Sequence, residues 1–272
     1  MNLDQLDNEL KSLLKQVGAY TKYEFERFSH SKIEYKGLND PFTYVDVTTE
    51  QKLVARCKEL IPGSGFINEE GDNVESTNGA VWIIDPIDGT TNFIHGIPHY
   101  AISLALEIEG ELTLGYVYEP AHDQLFSARK GHGAFLNDRP IHVTDHSDLS
   151  KAVIATGFPY EDLPWRGAYV SAVSDIQAAA HGIRRMGSAA LDLAFVAAGR
   201  YEGFFEYNLN PWDVAAGILL VHEAGGKVTD FQEKDRALYG KQLVASNGQV
   251  HGQILDILRK HRVPEHDIQG NP

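Results

Sequence analysis

A single cysteine, Cys57, stands among 272 residues, so no disulfide can close within the chain. Disulfide-stapled secreted folds are thereby excluded, and a reducing compartment is the expectation, with the cytoplasm as default. No apolar run approaches the roughly 18–20 residues that a membrane-spanning helix requires. The opening "MNLDQLDNELKSLLKQ" lacks the basic-then-apolar layout of a signal peptide, so none is expected. Positive charge is scarce: 24 Lys and Arg face 38 Asp and Glu, a formal net charge of −14. Such a surface disfavours nucleic acid and anionic membranes, which are bound through cationic side chains. A phosphorylated substrate would meet the same repulsion, and a bound divalent cation is what would relieve it.

What is present reads as a folded domain with a real core, since 43% of residues are hydrophobic and 23% charged. Leu3, Leu6, Leu10, Leu13, Leu14 and Val17 recur at helical spacing and predict an amphipathic opening helix. "YKGLNDPF" reads as a loop broken by Gly37 and Pro41, and "DVTTEQKLVARCKELIPG" as a second helix with Leu53, Cys57 and Ile61 on one face. Two short strands, "GFINEE" and "VWIIDP", lead into a meander whose alternation predicts antiparallel strands of one sheet. From about Ser147 the texture changes to strands alternating with helices. The expectation is a layered fold of α+β then α/β character, with an N-terminal half over 1–146 and a C-terminal half over 147–272.

The stretch "WIIDPIDGTTNF", Trp82 to Phe93, carries the chemistry. An apolar run runs straight into two acids, Asp85 and Asp88, whose charges repel and lose hydration if covered. Taken singly, Asp88 could cap a helix opening at Gly89, and Asp85 could be an exposed strand end. Together, two carboxylates and the intervening Ile87 carbonyl supply the oxygen donors that a cation of the Mg²⁺ type requires. The Gly-Thr-Thr that follows offers backbone N–H groups suited to phosphate. Glu69 and Glu70 end the strand upstream. Asn210, Pro211 and Asp213 in "NPWDVAAG" read as N-cap, first turn and an acid favourable to the helix dipole.

"FINEE", "WIIDPIDGTTNF" and "NPWDVAAGILLVHEAGG", in this order and spacing, resemble the inositol monophosphatase family of magnesium-dependent, lithium-sensitive phosphatases. "FTYVD", "ARKGHGAFLN" and "HGIRRMGSAALDLAFVAAG" extend the resemblance over almost the whole chain. It implies an αβαβα sandwich and hydrolysis of a phosphomonoester by metal-activated water, without a covalent phosphoenzyme. Carried over by position, Glu69, Asp85 and the Ile87 carbonyl would hold one Mg²⁺, and Asp85, Asp88 and Asp213 a second, with Glu69 helping to place a third. Glu69 and Thr90, with Asp46 behind Thr90, would orient and deprotonate the water. Gly89 and Thr90 would hold the phosphate through their N–H groups. Asp88, Glu206, Asp213 and the turn Gly187-Ser188-Ala189 would meet the substrate hydroxyls. For Asp46 a plain helix N-cap is the competing role, and for Glu206 an exposed strand-end acid.

The family pattern is not followed everywhere. Asn68 stands where Gly is common and is expected to tolerate the same left-handed backbone. Phe42 replaces a smaller aliphatic, and "YKGLNDP" corresponds to a variable loop near the third metal. His95 and His99 in "HGIPH" have ligand-like spacing, but the Gly and Pro between them and the absence of a cysteine cluster argue against zinc. "KGHGAF" opens no helix and is not a dinucleotide fingerprint. Cys57 reads as core. The substrate expected is a small phosphorylated polyol or sugar, inositol monophosphate first. Rivals within the superfamily act on 3′-phosphoadenosine 5′-phosphate, fructose 1,6-bisphosphate, histidinol phosphate or NADP; nucleotide-phosphatase relatives tend to carry Lys-Glu where Thr91-Asn92 stand here. The resemblance also implies a homodimer, and, because some bacterial relatives associate with transcription machinery, a regulatory binding protein is the rival of a different class.

Overall fold

The computed structural model describes residues 2–29, 33–37, 40–158 and 165–263. In chain order its elements are α1 (Leu3–Phe25), β1 (Ile33–Gly37), β2 (Asp40–Thr43), α2 (Tyr44–Leu60), β3 (Gly65–Asn68), β4 (Ala80–Asp88) and α3 (Thr90–Ile94). The meander follows as β5 (Ala101–Ile108), β6 (Glu111–Glu119), β7 (Gln124–Arg129), β8 (Ala134–Leu136) and β9 (Arg139–Ile141). Then come β10 (Val153–Thr156), α4 (Arg166–Ala179), β11 (Gly182–Arg184), α5 (Ala189–Ala197), β12 (Gly203–Tyr207) and α6 (Pro211–Glu223). The last are β13 (Lys227–Thr229), β14 (Gln242–Ser246) and α7 (His251–Lys260). Among the described residues no helix is long and apolar enough to cross a membrane.

Five layers result, the αβαβα sandwich expected. A seven-stranded sheet runs β3-β4-β5-β6-β7-β8-β9, and a five-stranded sheet runs β11-β10-β12-β14-β13. In the first, only β3 and β4 are parallel; in the second, β10 is parallel to both β11 and β12. Because side chains alternate along a strand, each sheet feeds two cores. Trp82 and Ile84 of β4 face outward onto Leu10, Leu14, Leu53 and Cys57 of α1 and α2, whereas Ile83 faces inward with Leu191, Leu193 and Leu220 of α5 and α6. Likewise Phe204 of β12 joins that inner core, and Phe205 packs outward with Ile176 of α4 and Leu258 of α7. Cys57 is fully buried, as its place on the apolar face implied.

The central helix α6 is gripped on both sides. A Cβ on Gly115 of β6 would lie 2.9 Å from the Ala216 carbonyl oxygen, and a Cβ on Gly217 would lie 2.5 Å from Leu193 Cβ of α5. Glycine is therefore the residue that lets sheet and helices close at these points, and the same closure fixes where the first turn of α6 projects.

Two local readings are corrected. "YKGLNDPF" is not simply a loop: β1 and β2 pair antiparallel, Ile33 opposite Thr43 and Tyr35 opposite Pro41, while Leu38 and Asn39 lie outside the described residues. Pro41 fits a two-stranded ribbon, where one edge of each strand needs no partner. Asn68 is not among the residues with positive φ; it ends β3, and its N–H donates to Asn73 Oδ1 at 3.2 Å. The extended backbone there accepts any residue.

The grip on α6 is open to test by urea denaturation. Gly217→Ala should lower stability by about 1–3 kcal/mol, the usual cost of overpacking a filled core. Gly252→Ala, where an added Cβ meets nothing within 4 Å, should not lower it.

Candidate active site

Strand β4 brings its two acids to one face through an irregularity. In a regular strand, residues three apart point to opposite faces. Here Asp85 lies opposite Ser103 and Asp88 opposite Ala101, so three steps on β4 match two on β5. This one-residue bulge turns Asp88 onto the side of Asp85. It falls at Pro86, which has no N–H to give to a ladder. Asp85 Oδ1 accepts from the Ile87 N–H at 2.9 Å and holds the bulge from inside. Because β3 is parallel to β4 with Asn68 opposite Ile84, the next residue, Glu69, falls beside Asp85; the Glu69 N–H donates to Ile84 O at 3.3 Å.

Asp213 arrives from the other direction, on the first turn of α6. Asn210 caps that helix and Pro211 opens it, as the sequence implied. The Asn210 N–H donates to Asp213 Oδ2 at 2.6 Å, and Lys241 Nζ donates to Asn210 Oδ1 at 2.7 Å. One carboxylate oxygen from each of Asp85, Asp88 and Asp213 lies within 4.8 Å of the others. Burial is the main cause of raised acid pKa values here, and mutual repulsion adds to it. Asp85 is pushed well above the usual range by burial, then by Glu69, Asp88 and Asp213. Asp213 is pushed up to about 7 by burial, then by Asp88. Asp88 reaches only about 6, because Ser188, Ala190, Ala189 and Arg185 oppose its burial.

Asp88 does not cap the helix after it. That helix, α3, starts at Thr90, with Gly89 as its N-cap in the left-handed region (φ 96°) and no side chain capping it. A Cβ on Gly89 would sit 3.1 Å from both Gly187 O and His99 O, which leaves no room for a larger residue. The Asp88 carboxylate reaches across instead to the turn before α5, where Oδ2 accepts from Ser188 Oγ and the Ala190 N–H, both at 2.6 Å. Gly187, Ser188 and Ala189 are thus placed at the cluster, with Ser188 as N-cap of α5.

Asp46 likewise is not an N-cap. Thr43 is the cap of α2, and Asp46 is the third helical residue of a capping box, its Oδ2 accepting from the Thr43 N–H at 2.9 Å and Thr43 Oγ1 at 2.6 Å. The other oxygen, Oδ1, lies 3.1 Å from Thr90 Oγ1, which also stands 2.9 Å from Ile87 O. Capping and site-facing roles are therefore held by one carboxylate at once. Burial pushes Asp46 up to about 6 against its Thr43 hydrogen bonds.

On the far wall, Glu206 of β12 lies against Gly157, where an added Cβ would be 2.0 Å from its Oε1. It is no free strand-end acid: burial pushes it up to about 8, with Arg185 opposing and Asp213 and Asp88 reinforcing. The sequence reading did not single out Asp192 or Gly157. Asp192 of α5 is buried and pushed well above its range by burial, then by Glu206 and Asp88. An acid in the otherwise apolar "AALDLAFVAA" was the available signal. His95 is the C-cap of α3, while His99 is buried beside Glu119, with 3.9 Å between Nδ1 and Oε1.

An all-oxygen cluster beside a helix start, at the meeting of two sheets in a five-layer sandwich, defines a phosphoryl-transfer type of centre. The comparisons agree. Residues 2–262 match the model of the inositol monophosphatase family, and the chain belongs to that family. Inositol-1-monophosphatase of Caulobacter vibrioides is 42% identical over 240 residues, covering 87% of this chain and 94% of the relative. Nus factor SuhB of Escherichia coli K12 is 42% identical over 246 residues, covering 90% and 92%. The crystal structure of extragenic suppressor protein suhB from Bartonella henselae superposes with a TM-score of 0.90 at 38% identity, covering 94% of this chain and 99% of that one. The chain is accordingly a phosphatase of this family.

The raised acids set a pH dependence. Asp46, Asp88, Asp213 and Glu206 hold their protons to about 6, 6, 7 and 8 in the folded chain, against about 4 when unfolded. Their contribution to stability is thus complete below about pH 4 and is lost as pH rises through the folded values. With chelator present, the melting temperature should be lower at pH 8 than at pH 5, and Mg²⁺ should recover the loss at pH 8. A chelated protein no less stable at pH 8, and unmoved by Mg²⁺, would contradict this.

Proposed function

We propose that the chain hydrolyses inositol monophosphate to inositol and phosphate with divalent cations of the Mg²⁺ type. The observation that carries this reading is the meeting of Asp85, Asp88 and Asp213, from two separate elements, within 4.8 Å. Their donor set fits such a cation: all atoms are hard oxygens, and the burial and mutual repulsion that raise these acids are what a divalent charge would offset. Glu69, Asp85 and the Ile87 carbonyl would hold one ion; Asp85, Asp88 and Asp213 would hold a second, and Glu69 would help with a third. Bound there, such ions would supply acidified water and neutralise charge on the phosphate and the leaving oxygen.

The chain's own groups do the rest. Gly89 and Thr90 present N–H groups of an uncapped helix start to the phosphate oxygens. Thr90 Oγ1, between Ile87 O and Asp46 Oδ1, orients the attacking water with Glu69, and its proton passes toward the Asp46 carboxylate. Because water is the nucleophile, no side chain is phosphorylated. Asp88, Glu206, Asp213 and the turn Gly187-Ser188-Ala189 receive the hydroxyls of the polyol. The chain works as a homodimer in the cytoplasm.

Phosphate release from inositol 1-phosphate across a Mg²⁺ series tests the reading, with NADP, fructose 1,6-bisphosphate and 3′-phosphoadenosine 5′-phosphate beside it. Metal-dependent release favouring the inositol ester, with Asp88→Asn reducing kcat by at least about 10³-fold, is expected. Preference for another ester would change the substrate and keep the site. A second reading rests on the relatives named Nus factor: the chain also binds a protein partner. In that case capture of the partner would survive Asp88→Asn while hydrolysis does not.

A further inference from the structure

We infer that Asn92 is a positioning residue that sets the shape of the substrate side of the pocket, and not its metal side. It lies on α3, buried, two residues after Thr90. Its Nδ2 donates to His99 O at 2.7 Å and to Met186 O at 2.8 Å, with Gly187 O a further contact at 3.5 Å. An amide nitrogen has two hydrogens, and both are used. The two acceptors belong to segments from different sheets: His99 precedes β5, and Met186 follows β11. Two carbonyl oxygens that would otherwise repel are thus bridged by one side chain. The backbone of Asn92 adds to the hold, its oxygen accepting from the Ile97 N–H at 2.9 Å.

Space around this bridge is filled. A Cβ on Gly187 (φ 86°) would stand 3.3 Å from Asn92 Nδ2 and 2.6 Å from Arg185 Nη1, and one on Gly89 would stand 3.1 Å from Gly187 O. Gly89, Asn92 and Gly187 therefore form one contact joining the helix start that faces phosphate to the turn that faces the polyol. Asp85 and Asp213 make no bond to this contact, and Asp88 reaches the turn through Ser188 and Ala190. Releasing the Met186 carbonyl frees Met186 and Gly187, while Ser188 and Ala190 at the start of α5 keep their bonds to Asp88. Position of the ring is lost before the chemistry is. This refinement rests on the proposed hydrolysis of a polyol phosphate.

Asn92→Asp is the isosteric test: it puts a carboxylate oxygen against the two carbonyls. Asn92→Ala only removes the donor, and Val170→Ala, at an exposed position of α4, is the control. For inositol 1-phosphate, both Asn92 variants should lose about 10–100-fold in kcat/KM, chiefly through KM. For glycerol 2-phosphate, which has no ring to reach the turn, the change should stay within about threefold, with the Mg²⁺ dependence unmoved. Amide hydrogen exchange at 186 and 187 should quicken by about tenfold or more, while the control matches the parent. Equal losses on both esters, a shifted Mg²⁺ dependence, or unchanged exchange in that segment would overturn the inference. A parent protein that releases nothing from inositol 1-phosphate would instead overturn the function, and the exchange measurement would then decide the role of Asn92 alone.

Discussion

Mutual repulsion among Asp85, Asp88 and Asp213 is the constraint around which the molecule is arranged. Buried carboxylates at such separations do not gather unless the scaffold forces them or a cation draws them together. The scaffold supplies force from two directions. A bulge holds the first pair on one face of β4, and the glycine-lined grip on α6 presses the third toward them. Asn210 and Lys241 then fix the entry of α6, so Asp213 cannot swing away without breaking its bond to the cap. Rigidity of this kind is what keeps a cation site in shape while its charge varies.

Chain direction explains why the site lies where it does. Strands β10, β11 and β12 run parallel and end together, delivering Gly157, the Arg185–Gly187 turn and Glu206 to one crevice; β3 and β4, also parallel, end at Glu69 and Asp85. Ligands of open α/β sheets occupy such carboxyl-end crevices. Two crevices face each other here, and α5 and α6 between the sheets make them one.

Much of this was legible in the sequence. The meander, the alternating second half and the cap at Asn210 follow from period, turn residues and capping chemistry, and so does the burial of Cys57. The family resemblance carried by the motifs around Asp85 and Asp213 implied a shared site although 128 positions separate them. What could not be read was mostly long-range. Asp88 reads locally as a helix cap because its partners, Ser188 and Ala190, are a hundred residues away. The Asp46 capping box has the same spacing whether or not Thr90 stands behind it. Asp192 and Gly157 matter through burial against Glu206, and nothing beside them in the chain says so. The β1–β2 ribbon was hidden by Gly37 and Pro41, which mark loops more often than edges.

The bulge in β4 also limits how this strand can vary between relatives. Side-chain direction along a strand is a matter of parity, and the extra residue between Asp85 and Asp88 supplies the odd step that makes them agree. Deleting one residue there would leave the acids two apart on a regular ladder, still on one face but without the bulge that Asp85 Oδ1 holds through the Ile87 N–H. Substitution can tune this strand, but a change of length between the two acids would remake the bulge that carries Ile87.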